Sequence, residues 1–398
     1  MPRRPDQVAV APMRGRYFVR NKAFNALFRA TDAVLGVVAR LRPKDQVRPV
    51  RRILIANGAH LGDVVLATAV LPVLRAALPG VRIGMLVGSW SAGIVRGHPL
   101  VDWVHTADHW RASRAAQSRL AKFRVWRRTS RHALREIREV DYDCAIDLYF
   151  YVPTLIPLLR RAGIPQRIGW TSGGFGPLLT DALDLHGLAD RSMVEYHLDL
   201  VRRIPGIGPV DATLARPSIA RRPVDVGALA GEGEYVVVHM GSGSPLKDWP
   251  VASWRRLVQE LLGDGHRIVF TGSGAREREQ VAAMLPQAPG AVDLSDRLNW
   301  AEFVEVVAGA RLLVGVDSVS SHVAAAVGTP VVVASHGMNN LALWRPVGPA
   351  VQVLRHPMPC APCYRKTGCA TIDCLRALPP ERVAQAARDA LGRATGSP

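Results

Sequence analysis

The chain predicts an α/β protein of two doubly wound parallel-sheet domains, and three observations carry that expectation. Near residue 52 a short buried strand runs through a glycine-bearing turn into a helix. Between residues 235 and 334, strand-like and helix-like runs alternate with short connections, the pattern of a parallel sheet with crossover helices. Between these two regions, residues 216–232 lose apolar periodicity and gain Pro and Gly, as an interdomain linker does. At 398 residues the chain is too long for one core, so its length agrees with two domains.

Residues 1–50 read as a basic amphipathic arm. Phe24, Leu27, Phe28, Val34, Leu35, Val38 and Leu41 fall near one helical face over residues 20–42. Arg20, Lys22, Arg29, Arg40, Arg42 and Lys44 decorate the rest. Such a helix either lies on an anionic membrane surface or packs on its own domain with a solvated basic face. Thr31 and Asp32 interrupt the stripe and favour the second reading.

The first domain is expected over residues 51–215. Residues 53–56 form a buried strand, the loop Asn57-Gly58-Ala59-His60-Leu61-Gly62-Asp63 follows, and Val64, Val65, Ala67, Thr68, Leu71, Leu74 and Arg75 keep helical spacing. Ligands of such sheets sit beyond the carboxyl ends of the strands. Asp63 is therefore a carboxylate at the mouth of a site or an ordinary helix cap, and this stretch alone does not choose. Further strands are expected at 82–87, 101–105, 144–148 and 167–170, with helices at 151–162 and 193–203. Residues 111–139 form a helix dense in arginine, with Phe123, Val125 and Trp126 among the charges. Its plain reading is a solvated face; the alternative is a contact with lipid phosphates or an anionic acceptor.

The second domain is expected over 233–355, with strands at 235–239, 267–271, 291–294, 312–316 and 330–334. Helices are expected at 251–262, 276–285, 301–308 and 320–327. A Cys-rich segment and a C-terminal helix fill 356–398.

A net charge of +18 favours anionic partners: nucleic acid, an acidic membrane surface or phosphorylated substrates. No helix-turn-helix, zinc-finger or RNA-recognition signature accompanies it, which sets nucleic acid behind the others. No apolar run approaches bilayer-spanning length, and the N-terminus lacks a signal-peptide layout. An intracellular, soluble protein is expected.

Several familiar motifs fail. Gly272-Ser273-Gly274 opens a helix, but Glu277 stands where a dinucleotide fingerprint needs glycine. Gly241-Ser242-Gly243-Ser244-Pro245-Leu246-Lys247 has no glycine before its lysine, so it is not a Walker loop. Asp141-Tyr142-Asp143 is a three-letter match to a metal string and sits at the start of a strand. Two loops survive. Gly241 and Ser242 begin a glycine-rich loop whose backbone N–H groups can approach an anion, and Lys247 adds a mobile positive charge. Asp317, Ser318, Ser320 and His322 lie where a strand meets the amino end of a small-residue helix, a setting that suits a pyrophosphate. Singly, Lys247 reads as a surface lysine and Ser318 or Ser320 as a cap; together the loops favour phosphate.

Taken jointly, these pieces resemble the heptosyltransferases, glycosyltransferase family 9. The matching residues are Leu61-Gly62-Asp63-Val64, Lys247 with Trp249-Pro250 and Trp254, Gly315-Val316-Asp317-Ser318 with Ser321-His322, and Gly328-Thr329-Pro330-Val331. The resemblance spans about residues 51–390 and implies a GT-B fold, two Rossmann-like domains facing across a cleft. It implies an inverting transferase that needs no catalytic metal, with Asp63 as catalytic base and Lys247 on the donor phosphates. Asp317 and His322 match the donor-binding loop. The implied donor is a nucleotide-diphosphate sugar, ADP-heptose above all; the implied acceptor is a lipopolysaccharide-core or related envelope glycan, an anionic glycolipid. The implied place of work is the cytoplasm, peripheral on the cytoplasmic face of the inner membrane. The chain departs from the family in three places. Val319 and Ser320 replace a Gly-Leu pair, Ser335-His336-Gly337-Met338 follows the strand ending at Ala334, and Gly58-Ala59-His60 replaces a Ser-rich approach. Rival readings are a same-fold transferase with another donor or a protein acceptor, and an inactive sugar-nucleotide or membrane-binding module.

Cys360, Cys363, Cys369 and Cys374 have spacing compatible with a structural zinc or iron site. Reduced thiols or two disulfides are the alternative. Cys144, inside a strand, reads as core.

Overall fold

The structure, a computed structural model, describes residues 16–19, 21–41, 48–185, 187–365 and 369–394. Arg20, Arg42 and Lys44 of the expected arm lie outside them. The chain divides into two compact units, one ending at Ala220 and the other starting at Arg221.

The first unit is built on a six-stranded sheet of order β3-β2-β1-β4-β5-β6. Its strands are β1 (Arg52–Asn57), β2 (Arg82–Val87), β3 (Trp103–Thr106), β4 (Cys144–Asp147), β5 (Gln166–Trp170) and β6 (Asp181–Leu183). Every pairing is parallel. β1 is buried over Ile53–Asn57, as its unbroken apolar run requires. The single expected helix after β1 is two, Leu61–Ala67 and Val70–Ala77. The Thr68 hydroxyl donates to the Val65 carbonyl (2.6 Å) at the joint, and Pro72 starts the new turn without needing a donor. The helix expected from 151 begins only at Ile156, because 148–155 loops around the Asp147 carboxylate. The arginine helix spans Arg119–Val140, so Arg111 and Arg114 precede it.

The Asp-x-Asp string is structural. Asp143 accepts from the backbone N–H groups of Arg51 and Arg52, both at 2.9 Å, and Asp141 ends the arginine helix in the left-handed region at φ 56°.

The arm helix, Lys22–Arg40, corrects the expectation of an inward apolar stripe. Asp32 is its buried residue, accepting from the Tyr17 hydroxyl (2.9 Å) and the Phe175 N–H (2.8 Å). Phe28 packs edge-on to Phe175 beside it. The polar residue that interrupts the stripe is the anchor, and much of the stripe faces outward.

The second unit repeats the architecture with order β12-β11-β10-β7-β8-β9, again all parallel. Its strands are β7 (Val236–His239), β8 (Ile268–Thr271), β9 (Val292–Asp293), β10 (Leu312–Val316), β11 (Val331–Ala334) and β12 (Val351–Leu354). Trp249 and Trp254, from the helix-opening Trp-Pro segment, meet edge-to-face at 5.0 Å within its core. Arg221 belongs to this unit: its guanidinium makes a two-pronged pair with Glu305, at 2.7 and 2.6 Å.

Candidate functional site

In both sheets the strand order reverses beside one strand, between β1 and β4 in the first and between β7 and β10 in the second. Neighbouring crossovers leave that point to opposite faces, which opens a crevice at the carboxyl ends of the strands. The sequence-predicted residues fall at these two points.

In the first unit Asp63 follows β1. It is not the helix cap itself but the third helical residue, and its Oδ2 reaches back to accept from the His60 N–H at 3.1 Å. Asn57, buried at the end of β1, fixes the turn by accepting from the Ala59 N–H at 3.1 Å. Asp63 is half-buried, so its carboxylate is both positioned and reachable. Across the reversal stands Asp147 on β4, opposite Ala56. Asp147 is buried, and burial raises its carboxyl to about 6 despite hydrogen bonds from Leu155 and Tyr149 N–H groups. Its loop carries Tyr149, whose hydroxyl is held well above its usual range by desolvation and then by the Asp63 carboxylate. Asp147 escaped sequence reasoning because it read as strand, and Tyr149 because it fell between the strand expected at 144–148 and the helix expected at 151–162.

In the second unit the two expected loops meet. Lys247 donates to Asp317, to Oδ2 at 3.0 Å and to its carbonyl at 3.3 Å. A third ammonium hydrogen remains for another acceptor. Ser318 precedes the helix Val319–Val327, with its hydroxyl 2.7 Å from that of Ser320, while Ser321 donates back to the Ser318 carbonyl. His322 is buried, and burial lowers it to about 4, so it is neutral; its Nδ1 has no partner among the described residues. A buried, unpartnered nitrogen is costly unless something binds there.

His336 is the residue that sequence reasoning registered only as a departure. It is buried at the end of β11; its Nδ1 accepts from the Met338 N–H (2.9 Å), so its Nε2 donates to Asp317 Oδ2 at 2.8 Å. Burial would raise the Asp317 carboxyl, but Lys247 and the His336 hydrogen bond outweigh it and hold it well below the usual carboxylate range.

Gly241 and Ser242 lie in the first of these loops. A Cβ at Gly241 would overlap the Glu277 carboxyl, which accepts from the Ser273 N–H at 2.8 Å. The glutamate that broke the dinucleotide fingerprint thus occupies the space a side chain at 241 would need. Arg276 clamps the loop, donating to the Ser242 carbonyl and pairing with Asp248.

Cys360, Cys363, Cys369 and Cys374 line one small cavity with Leu246, Met338 and Met358, and none is in a disulfide. Among the described residues no group of three or more His, Cys, Asp or Glu side chains is placed to hold a metal ion. A structural zinc or iron there is thus not supported, though the four thiols share one cavity; Cys374 opens a helical turn, Asp373–Arg376. Cys144 is buried core.

The family model described as glycosyltransferase family 9 (heptosyltransferase) matches residues 130–371. Lipopolysaccharide heptosyltransferase 1 of Pseudomonas aeruginosa is 27% identical over 331 residues, 79% of this chain and 87% of that protein. A family 9 glycosyl transferase from Veillonella parvula superposes with TM-score 0.70 at 19% identity, covering 87% of this chain and all of that one. The E. coli heptosyltransferase WaaC with ADP gives TM-score 0.66 at 21% identity, covering 85% of this chain and 99% of its own. These likenesses establish a GT-B fold, and the family match spans more than half of the sequence. The chain belongs to glycosyltransferase family 9, the heptosyltransferases, and is a glycosyltransferase.

Proposed function

We propose that the enzyme transfers heptose from ADP-heptose, with inversion, to the core of a lipopolysaccharide or a related envelope glycolipid on the cytoplasmic face of the inner membrane. The observation that carries the donor half is the Lys247–Asp317–His336 group at the strand reversal of the second unit, beside the unpartnered Nδ1 of His322. The third hydrogen of the Lys247 ammonium and the free N–H groups after Ser318 suit a diphosphate. The relative whose structure is described as holding ADP supports adenine as the base.

In this reading an acceptor hydroxyl attacks the anomeric carbon as the bond to the diphosphate breaks on the opposite side. Asp63 takes the hydroxyl proton as general base. The helix N-terminus and the His60 N–H stabilise its carboxylate, which weakens the base but fixes its orientation. Lys247 and the helix N-terminus stabilise the charge growing on the leaving ADP, the contribution that usually dominates. No step calls for a metal.

The test is Asp63→Asn, which keeps an oxygen for the His60 N–H but cannot accept the proton. Transfer should fall by about a hundredfold to ten-thousandfold, while ADP-heptose still raises the melting temperature as it does in the parent. Near-normal turnover removes Asp63 as the base. A thermal shift with UDP- or GDP-sugars and none with ADP-heptose removes the donor assignment.

A further inference from the structure

The first unit carries an apolar surface with the wrong side out. On the arm helix, Phe24, Leu27, Val34, Val37 and Val38 are 40–64% exposed, and Leu41 at its end is 82% exposed. They recur at helical spacing along one face, while the face with Asp32 and Phe28 is spent on the domain. Water-facing helices carry polar residues on their outer side, and contiguous exposed apolar patches on soluble proteins mark docking sites.

The patch continues onto the arginine helix. Arg111 lies 5.3 Å over the Phe24 ring and 5.5 Å over Trp110; from there His109, Trp126 and Phe123 follow in successive ring contacts of 5.9, 5.0 and 5.3 Å. Leu120 and Phe123, in the first two turns of that helix, are 59% and 38% exposed. Arg124, Arg127, Arg131, Arg135 and Arg138 follow Leu120 at offsets of 4, 7, 11, 15 and 18 residues, hence on the same face. Together they line an open groove of about 940 Å³. Arg124, Arg127, Arg131 and Arg135 have no carboxylate partner among the described residues, in a chain of net charge +18. Unpaired guanidinium groups beside exposed aromatic and aliphatic side chains match the two layers of a bilayer surface, phosphate above and acyl chain below.

We infer that the arm helix and the arginine helix form one docking surface for an anionic lipid bilayer. The arm helix lies in the interface with Leu27, Val34, Val38 and Leu41 in the acyl boundary, and the arginine groove receives headgroup phosphates. No described helix is long and apolar enough to cross a membrane, so the contact is peripheral. The inference gives the proposed glycolipid transfer its membrane partner, but its support is the exposed surface and its test uses neither donor nor acceptor.

The experiment is co-sedimentation of the full chain with vesicles of phosphatidylcholine, with or without about a quarter phosphatidylglycerol. The parent should partition onto anionic vesicles at least about tenfold better than onto neutral ones, and salt should weaken it. Leu27→Asp with Val34→Asp should lower partitioning about tenfold or more. Arg127→Gln with Arg131→Gln should lower it by up to about thirtyfold, each lost charge costing about fivefold. All these side chains are exposed, so the variants should keep the parent's melting temperature and its ADP-induced thermal shift. Equal partitioning onto neutral vesicles, or variants that bind like the parent, overturns the inference. So does a parent oligomer that the aspartate pair converts to monomer without changing vesicle binding, since the patch would then face a second copy. If vesicle binding is as expected but transfer fails with every heptose donor, the docking surface stands and the proposed function falls.

Discussion

His336→Ala should unlock the Asp317 loop, and its cost can be worked from the contacts. The wild-type ring is buried and its Nε2–H lies 2.8 Å from Asp317 Oδ2. A hydrogen bond to a charged group contributes about 1.5–3 kcal/mol, and its loss leaves a buried carboxylate with Lys247 as its remaining side-chain partner. Met338 is half-buried as a residue, and the loss of its N–H bond to the ring adds about 0–1 kcal/mol. The space left by the ring adds about 1–2 kcal/mol. The sum lies between about 2.5 and 6 kcal/mol, centred near 4. Because the chain has two units, global unfolding is a poor gauge. Hydrogen exchange of β10 and β11 amides reports the local opening free energy directly. His336→Gln, which returns a side-chain N–H at similar reach, should recover roughly half the loss. A pH series supplies the second readout. The Asp317 carboxyl is depressed in the fold, so its stabilisation is present above the ordinary carboxylate range and lost as pH falls through the depressed folded value. In His336→Ala the folded value rises, so that loss should be smaller and complete at a higher pH. A destabilisation below about 1 kcal/mol, or a glutamine variant no better than alanine, would refute the assignment of His336 as the group that holds Asp317.

Two other outcomes follow from the same structure. Burial lowers His98, His109, His239 and His322 to about 4 and His197 to about 3. A neutral buried histidine binds its proton more readily unfolded, so stability should be full above about 6.5 and fall steadily toward pH 4, with urea midpoints showing the decline; flat midpoints would contradict those buried neutral rings. Gly241→Ala should displace the Glu277 carboxyl from the Ser273 N–H and cost about 1–3 kcal/mol by denaturant titration, with donor affinity falling alongside; a neutral substitution would show that Glu277 moves freely.

Much of the fold and part of the site were legible in sequence because they are local. The apolar run 53–56, the alternations from 235 to 334 and the glycine turns before Asp63 and Lys247 follow from backbone periodicity and turn chemistry within a few residues. Of the four edge strands, β6 and β12 were not legible, being short and partly exposed, with no buried run to mark them. The cysteine spacing said nothing of the cavity that the four thiols share with Leu246, Met338 and Met358, which only the fold assembles.

By itself, then, the sequence determined most element types and the family, and singled out Asp63, Lys247, Asp317 and His322 as candidates. Only the tertiary structure decided strand order, and with it which loops meet where each sheet reverses. It alone set His336 on Asp317, Glu277 beneath Gly241, and the apolar face of the arm helix outward, because Asp32 found its partners in Tyr17 and Phe175. The physical reason is range. Periodicity and capping act over one or two turns of chain, whereas a buried carboxylate takes its partners from whatever the folded sheet brings beside it.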